Sequence, residues 1–194
     1  MKAKIWWSMS LLALFAIQGC SLKPQNLRID PEQIRIQESQ VGSGTTVGLK
    51  VEDARPTKKL GEVGDPDTRM VDVSVGEDPS PKIYERVREA LIRMGFTVVP
   101  YSDGVDPSLK LEIRKLELKS VKTPFTFETE LRAELGANAA RAKGYYDRQF
   151  NVRTRRDGAA PPFEKDSTKL VNTAISQALE DLLADEQLLG TLAR

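Results

Sequence analysis

"FTFETELRAEL", Phe125 to Leu135, sets Phe125, Phe127, Thr129, Leu131, Ala133 and Leu135 on one side of a two-residue repeat, with Glu128, Glu130, Arg132 and Glu134 on the other. That period over this length is a strand with one core face and one wet face, the mark of an antiparallel sheet open to water on one side. Upstream, Leu109, Leu111 and Ile113 alternate, and the phase then slips at Lys115 so that Leu116 and Leu118 continue it. One extra residue of that kind is a β-bulge. Downstream, Tyr146, Phe150, Val152 and Thr154 follow in register, interrupted by Arg148. Short turns join the three runs, which predicts a meander.

Two amphipathic runs flank these strands. Ser80 is read as the cap of a helix with Pro81 at its first position. Ile83, Val87, Ala90, Leu91 and Met94 form its stripe, and Gly95 stands where a left-handed C-cap belongs. Asp166 or Ser167 starts a second, with Val171, Ala174, Ile175, Ala178, Leu179 and Leu182 on its apolar side and Leu188, Leu189 and Leu192 packing beyond its end. "TVGLKVED" (Thr46–Asp53) and "FTVVP" (Phe96–Pro100) read as further strands. Between them, Ala54–Pro79 is a long loop in which Val71, Val73 and Val75 mark a short strand or half a hairpin. Two helices with one stripe each cover one face of a sheet. The predicted fold is therefore α+β, a two-layer sandwich of a mostly antiparallel sheet with both main helices on one face.

The amino terminus carries a different signal. Lys2 and Lys4 precede a mostly apolar run from Ile5 to Ile17, after which Ser21, Lys23, Gln25 and Asn26 are polar. A membrane span needs about 20 apolar residues, whereas the core of an export signal needs roughly 7–15. The run is an export signal. The single cysteine of the chain, Cys20, stands at its edge, and Ile17-Gln18-Gly19-Cys20 resembles the lipobox of bacterial lipoproteins, although Gln18 is larger than usual at its place. The alternative is an ordinary cleaved signal with a spare thiol. A lipobox implies cleavage before Cys20 and acylation of it, and several acyl chains hold a protein stably where one does not. Ser21, rather than Asp, after the cysteine implies the outer membrane, facing the periplasm.

The chain then divides into a signal peptide over 1–19, a lipidated terminus and tether over 20–45, and one periplasmic α+β domain over 46–194. Ser21 to about Asn26 reads as a spacer. Leu27, Ile29, Ile34 and Ile36 can add an edge strand, with Pro31 keeping it out of the sheet centre. "VGSGTTVG" precedes a strand instead of leading from strand to helix, so its glycines belong to turns and not to a phosphate cradle.

Composition restricts the chemistry. Loss of Lys2 and Lys4 with the leader takes the net charge from +1 to −1, which offers nucleic acid no attracting field. There is no histidine, so Ser–His and Cys–His nucleophiles, imidazole bases and the usual zinc sites are excluded. No metal or small-molecule cofactor is expected, and no catalytic residue stands out. Glu62, Asp65 and Asp67 lack the spacing and terminal Glu of a calcium loop. Asp53 and Arg55 leave a strand into the long loop, either as a functional pair or as an ion pair that closes the loop. Arg141 and Lys143 precede one strand, and Arg153, Arg155 and Arg156 stand at its end. They form either a basic surface for phosphate-bearing partners or a solvated face whose arginines pair with Glu128, Glu130 and Glu134.

"VGLKVEDARP", "YERVREALIRMGFTVVP", "LKLEIRKLEL" and "KLVNTAISQALEDLLAD", together with the lipobox at Cys20, resemble the YajG-like lipoproteins of Gram-negative bacteria in order and spacing over nearly the whole mature chain. The resemblance implies no catalytic residues. The layout is also similar to small periplasmic lipoproteins that assist cell-wall or lipid-transport machinery, at the level of fold alone. The expected function is a non-enzymatic, outer-membrane-anchored domain. It joins the membrane through lipid at Cys20 and binds an envelope protein, glycan or lipid, with Asp53, Arg55, Arg153, Arg155 and Arg156 as surface candidates. The alternative is a carboxylate-based cell-wall hydrolase, which would need an acid pair in a pocket with one carboxyl raised.

Overall fold

The computed structural model describes residues 22–37, 39–142 and 144–193. The leader, Cys20 and Lys143 lie outside the described residues. In chain order the elements are β1 (Gln25–Leu27), β2 (Thr46–Asp53), β3 (Lys59–Asp65), β4 (Arg69–Val75), α1 (Ser80–Arg93), β5 (Thr97–Pro100), β6 (Ser108–Lys122), β7 (Phe127–Arg141), β8 (Gly144–Gly158), α2 (Glu164–Leu183) and α3 (Glu186–Ala193).

The alternating runs give the meander. β6, β7 and β8 pair antiparallel along their length, Leu118 opposite Leu131 and Leu131 opposite Thr154. The register slips between Ile113 and Lys115, which leaves Arg114 as the extra residue of the expected bulge. β6 has a divided far side. Its first half pairs in parallel with β2, which continues to β5, and its second half pairs in parallel with β3 at Gly61 and Glu62. β3 joins β4 as a hairpin, and β1 lies parallel to β4 at the edge. The fold is α+β, as expected, with a mostly antiparallel sheet that also has parallel parts. Neighbouring parallel strands need a long connection. Three of the parallel pairs, β2–β5, β2–β6 and β3–β6, join strands on either side of α1, and β1–β4 is connected through β2 and β3.

Leu49, Leu109, Ala139 and Tyr146 share one cross-sheet row, and all four are buried. α1 seats Ile83, Val87, Ala90 and Leu91 on this side, and α2 seats Leu170, Val171, Ala174, Ile175, Ala178 and Leu179. Between the helices runs the segment from Ile29 to Ile34. Arg86 Nε and Arg93 Nη2 of α1 donate to the carbonyls of Pro31 and Ile34 at 2.8 and 2.8 Å. From α2, Asn172 accepts the Asp30 N–H at 3.0 Å and Glu180 the Arg35 N–H at 3.0 Å. Among the described residues no helix is long and apolar enough to cross a membrane.

Several local expectations change. Part of the long loop is the β3–β4 hairpin. β3 went unread because Gly61 and Gly64 interrupt its alternation, and each is required: a Cβ on Gly61 would overlap the Leu118 carbonyl, and Gly64 has φ 139°. The cap of α1 is not Ser80. The Asp78 carboxylate accepts the Ser80 N–H at 2.9 Å, two residues earlier. α2 begins at Glu164, with Asp166 Oδ2 accepting the Phe163 N–H at 3.3 Å. The edge strand falls on Gln25–Leu27, before Pro31, so the spacer read over Ser21–Asn26 gives way to a strand at Gln25. Gly95 closes α1 at φ 86°, with Phe96 N–H donating to Leu91 at 3.1 Å. The glycine-rich turn serves the same helix end, Gly42 and Gly44 donating to the Met94 and Gly95 carbonyls at 2.9 and 2.7 Å.

Candidate partner-binding face

Alternation leaves the second face of β6–β8 to water, and the bulge at Arg114 decides which residues reach it. Beyond the bulge the open face carries Lys115 opposite Glu134, Glu117 opposite Arg132 and Lys119 opposite Glu130. Each row places opposite charges directly across the strands, where cross-strand pairs stabilise a sheet. β8 continues two of the rows with Arg153 and Arg155. Glu117, Lys119, Glu130 and Arg132 line a shallow hollow of about 90 Å³.

The electrostatics of this face are those of paired charges. Arg132 Nε donates to Glu130 at 2.6 Å. That bond first, against desolvation, and then the charges of Arg132, Arg153 and Arg155, hold the Glu130 carboxyl below its usual range. Arg155 lies 3.5 Å from Glu128. Arg153 stands opposite Arg132, like charge beside like, and is the least compensated of the row. The basic candidates therefore divide. Arg153 and Arg155 belong to the open face. Arg156 points to the helix side, 3.2 Å from Asp166 of α2. Arg141 lies at the far end of β7. An arginine triplet in sequence becomes two faces in a strand because successive side chains point oppositely.

Asp53 and Arg55 form the loop-closing pair. Arg55 donates through Nε and Nη2 to both Asp53 oxygens at 2.7 and 2.7 Å, and its side chain is 3% exposed. Burial pushes the Asp53 carboxyl up, and the Arg55 hydrogen bonds and charge, helped by Lys58, outweigh it and hold it below 3.8. At the β3–β4 turn, Lys122 hydrogen-bonds Asp65 and so lowers its carboxyl. At the start of α3, burial pushes Asp185 up and is outweighed by the Leu188 N–H, Tyr146 and Arg148. These four displaced carboxyls all move downward, opposite to a carboxylic acid held ready to donate a proton. Among the described residues no cluster of three potential metal ligands forms.

Two features escaped the sequence reading. Lys115, Glu117 and Lys119 share the open face, and this was legible once the bulge was placed. The cleft of about 820 Å³ between the β7–β8 turn and α3, lined by Arg141, Glu186, Gln187 and Thr191 among others, had no sequence signal because its walls are far apart in the chain.

No curated protein matches the chain. Solved structures give low-identity likenesses. A protein from Xanthomonas campestris is 14% identical over 87% of this chain and 94% of its own, with a TM-score of 0.42. The rare lipoprotein B from Shewanella oneidensis is 16% identical over 71% and 90%, at 0.43. A putative neuraminyllactose-binding hemagglutinin homolog from Helicobacter pylori is 11% identical over 81% and 94%, at 0.42. At these scores the likenesses carry no functional argument. A family model described as "Uncharacterized lipoprotein" matches residues 32–193, and the chain belongs to that YajG-like lipoprotein family.

Proposed function

We propose that this lipoprotein is a non-enzymatic binding module. It is held at the periplasmic face of the outer membrane through lipid on Cys20, and it docks a component of cell-wall or lipid-transport machinery on its open face and the β8 edge. The supporting observation is that edge. β8 runs fifteen residues with β7 as its only strand partner among the described residues, so one row of its backbone donors and acceptors is available for strand addition. Arg153 and Arg155 stand beside it and suit a partner with carboxylates or phosphates. Edge cations also keep identical edges from pairing, so they suit a domain that receives a foreign strand and resists its own copies.

Photocrosslinking residues placed at 151, 153 and 155 in the intact lipoprotein are expected to give partner adducts in cells. A residue placed at 92, on the exposed side of α1, is expected to give none. Arg153→Glu with Arg155→Glu should reduce the adducts from 151 without changing the circular dichroism spectrum. Equal adducts from 92 and 153, or adducts indifferent to the double reversal, would overturn this docking face.

A further inference from the structure

We infer that the end of the sheet holding the β6–β7 turn is a membrane-contact surface, and that Pro124 and Phe125 enter the bilayer leaflet that takes the acyl chains of Cys20. This rests on the lipid anchor proposed above. Strand direction supplies the argument. Gln25 pairs with Val73, Val73 with Gly61, and Gly61 with Leu118, so these residues form one row across the sheet. β1 is parallel to β4, β4 antiparallel to β3, and β3 parallel to β6. Going back from Gln25 toward Cys20 therefore follows the direction in which β6 advances from Leu118 to Lys122 and its turn. Leu22 still packs against the core. It stands two positions after Cys20, a reach of at most about 7 Å. An acylated Cys20 would hold this end of the domain against the membrane.

The same end exposes apolar side chains. Phe125 is 92% exposed, and Val121 and Phe163 are exposed as well. Phe163 follows Pro162, whose carbonyl accepts from Gln25 Nε2 at 2.7 Å, so it lies beside the emerging amino terminus. A lone exposed aromatic is ordinary on a protein surface. This turn has two further properties that suit a bilayer. Two of its backbone N–H groups are satisfied internally, since Thr123 N–H donates to the Thr126 carbonyl at 2.7 Å and Thr126 N–H to Thr123 Oγ1 at 3.0 Å. Pro124 has no N–H to desolvate, and an unpaired backbone group is what lipid tolerates least. Three carboxylates beside the turn are also compensated, Asp65 and Asp67 binding Lys122 at 2.7 and 2.9 Å and Glu128 lying 3.5 Å from Arg155, which reduces repulsion from anionic headgroups. Multiple acyl chains already suffice for retention. The second contact would fix orientation, standing the long strands away from the membrane and presenting β8 sideways to the periplasm.

Trp6 and Trp7 are the only tryptophans and leave with the leader, so Phe125→Trp gives the processed lipoprotein a single tryptophan. The protein is reconstituted in vesicles of phosphatidylethanolamine and phosphatidylglycerol, with or without brominated acyl chains. Expected are a blue-shifted emission and loss of intensity with brominated lipid. Tyr145→Trp, 68% exposed at the opposite end of the meander, is expected to show neither. If the protein floats with the vesicles and position 125 is no more quenched than position 145, the membrane contact is overturned while the anchor stands. A photocrosslinker at 125 that yields a protein adduct under those conditions would identify a protein as the occupant instead. If the Cys20 protein does not float at all, the anchor fails and this inference fails with it.

Discussion

Arg55 keeps a permanent charge on a side chain almost wholly withdrawn from water, and a single carboxylate compensates it. Nη1 is buried with no hydrogen-bond partner among the described residues, so Asp53 carries the whole interaction. Removing one member of such a pair leaves an uncompensated buried charge, and Asp53→Asn is expected to cost on the order of 3 kcal/mol in urea unfolding. The pH dependence gives a second check. Asp53 titrates below 3.8 in the fold, so its contribution is present above the unfolded value and is lost as pH falls through the folded one. The wild-type advantage over the Asn variant should stay constant at neutral pH and shrink below about pH 4. A gap unchanged down to strong acid would show that the carboxylate charge is not what stabilises the turn. The pair was legible in the sequence, because Asp-x-Arg at a strand end lets one side chain fold back on the other. Phe125 was not. Its alternation with Phe127 is unbroken, and only the turn closed by Thr123 and Thr126 takes it off the strand and into solvent.

At the scale of elements, legibility followed how much of each pattern was local. The α1 stripe, its glycine stop, the β6 bulge and the β7 alternation from Phe127 onward are properties of consecutive residues, and each appears where the pattern placed it. β3 depends on contacts with β6 and β4, which demand glycine at positions 61 and 64 and thereby erase the alternation that would have revealed it. Gly61→Ala is accordingly expected to destabilise by more than about 1 kcal/mol, since its methyl group meets the Leu118 carbonyl and not a movable side chain. Gly104→Ala, with open space around it, should be nearly neutral in the same thermal melts. One residue both caps and tethers α3, whose Leu188 and Leu192 are buried. Asp185 caps it through the Leu188 N–H at 2.9 Å and also pairs with Arg148, which tethers the helix to β8. Burial and then the Asp185 charge push the nearby Tyr146 phenol up to about 12. Asp185→Ala should cost roughly 1–2 kcal/mol and speed hydrogen exchange in 186–193 ahead of the rest. Uniform acceleration across the chain would show that α3 does not open separately.

For the molecule as a whole, the amino-terminal segment unites features that sequence reading kept apart. A region of 26 residues over 20–45, polar and punctuated by Pro and Gly, reads as a tether. Its apolar residues alternate only in the short pairs Leu27/Ile29 and Ile34/Ile36, yet Leu27, Ile29 and Ile34 are all buried. Leu27 completes the β1–β4 edge, while Ile29 and Ile34 fill the seam between α1 and α2, so the two helices share a surface that neither possesses alone. The family match begins at residue 32, beyond β1. A soluble chain begun there would lack Leu27 and Ile29. Burial of a large aliphatic side chain is worth about 1.5–3 kcal/mol, so losing both removes roughly 3–6 kcal/mol from a domain whose whole stability is about 5–15. Cys20→Ser in the full mature chain touches none of this packing. The expected order in urea is therefore equality between the Ser variant and a chain begun at Leu22, with a much lower midpoint for the chain begun at residue 32. That shortest chain should also have a smaller slope, because unfolding it exposes less surface. If it matched the longer ones, 22–31 would be a tether after all. The short reach from Leu22 to Cys20 would then cease to hold the domain end at the membrane, so this melting series bears on orientation as well as on stability.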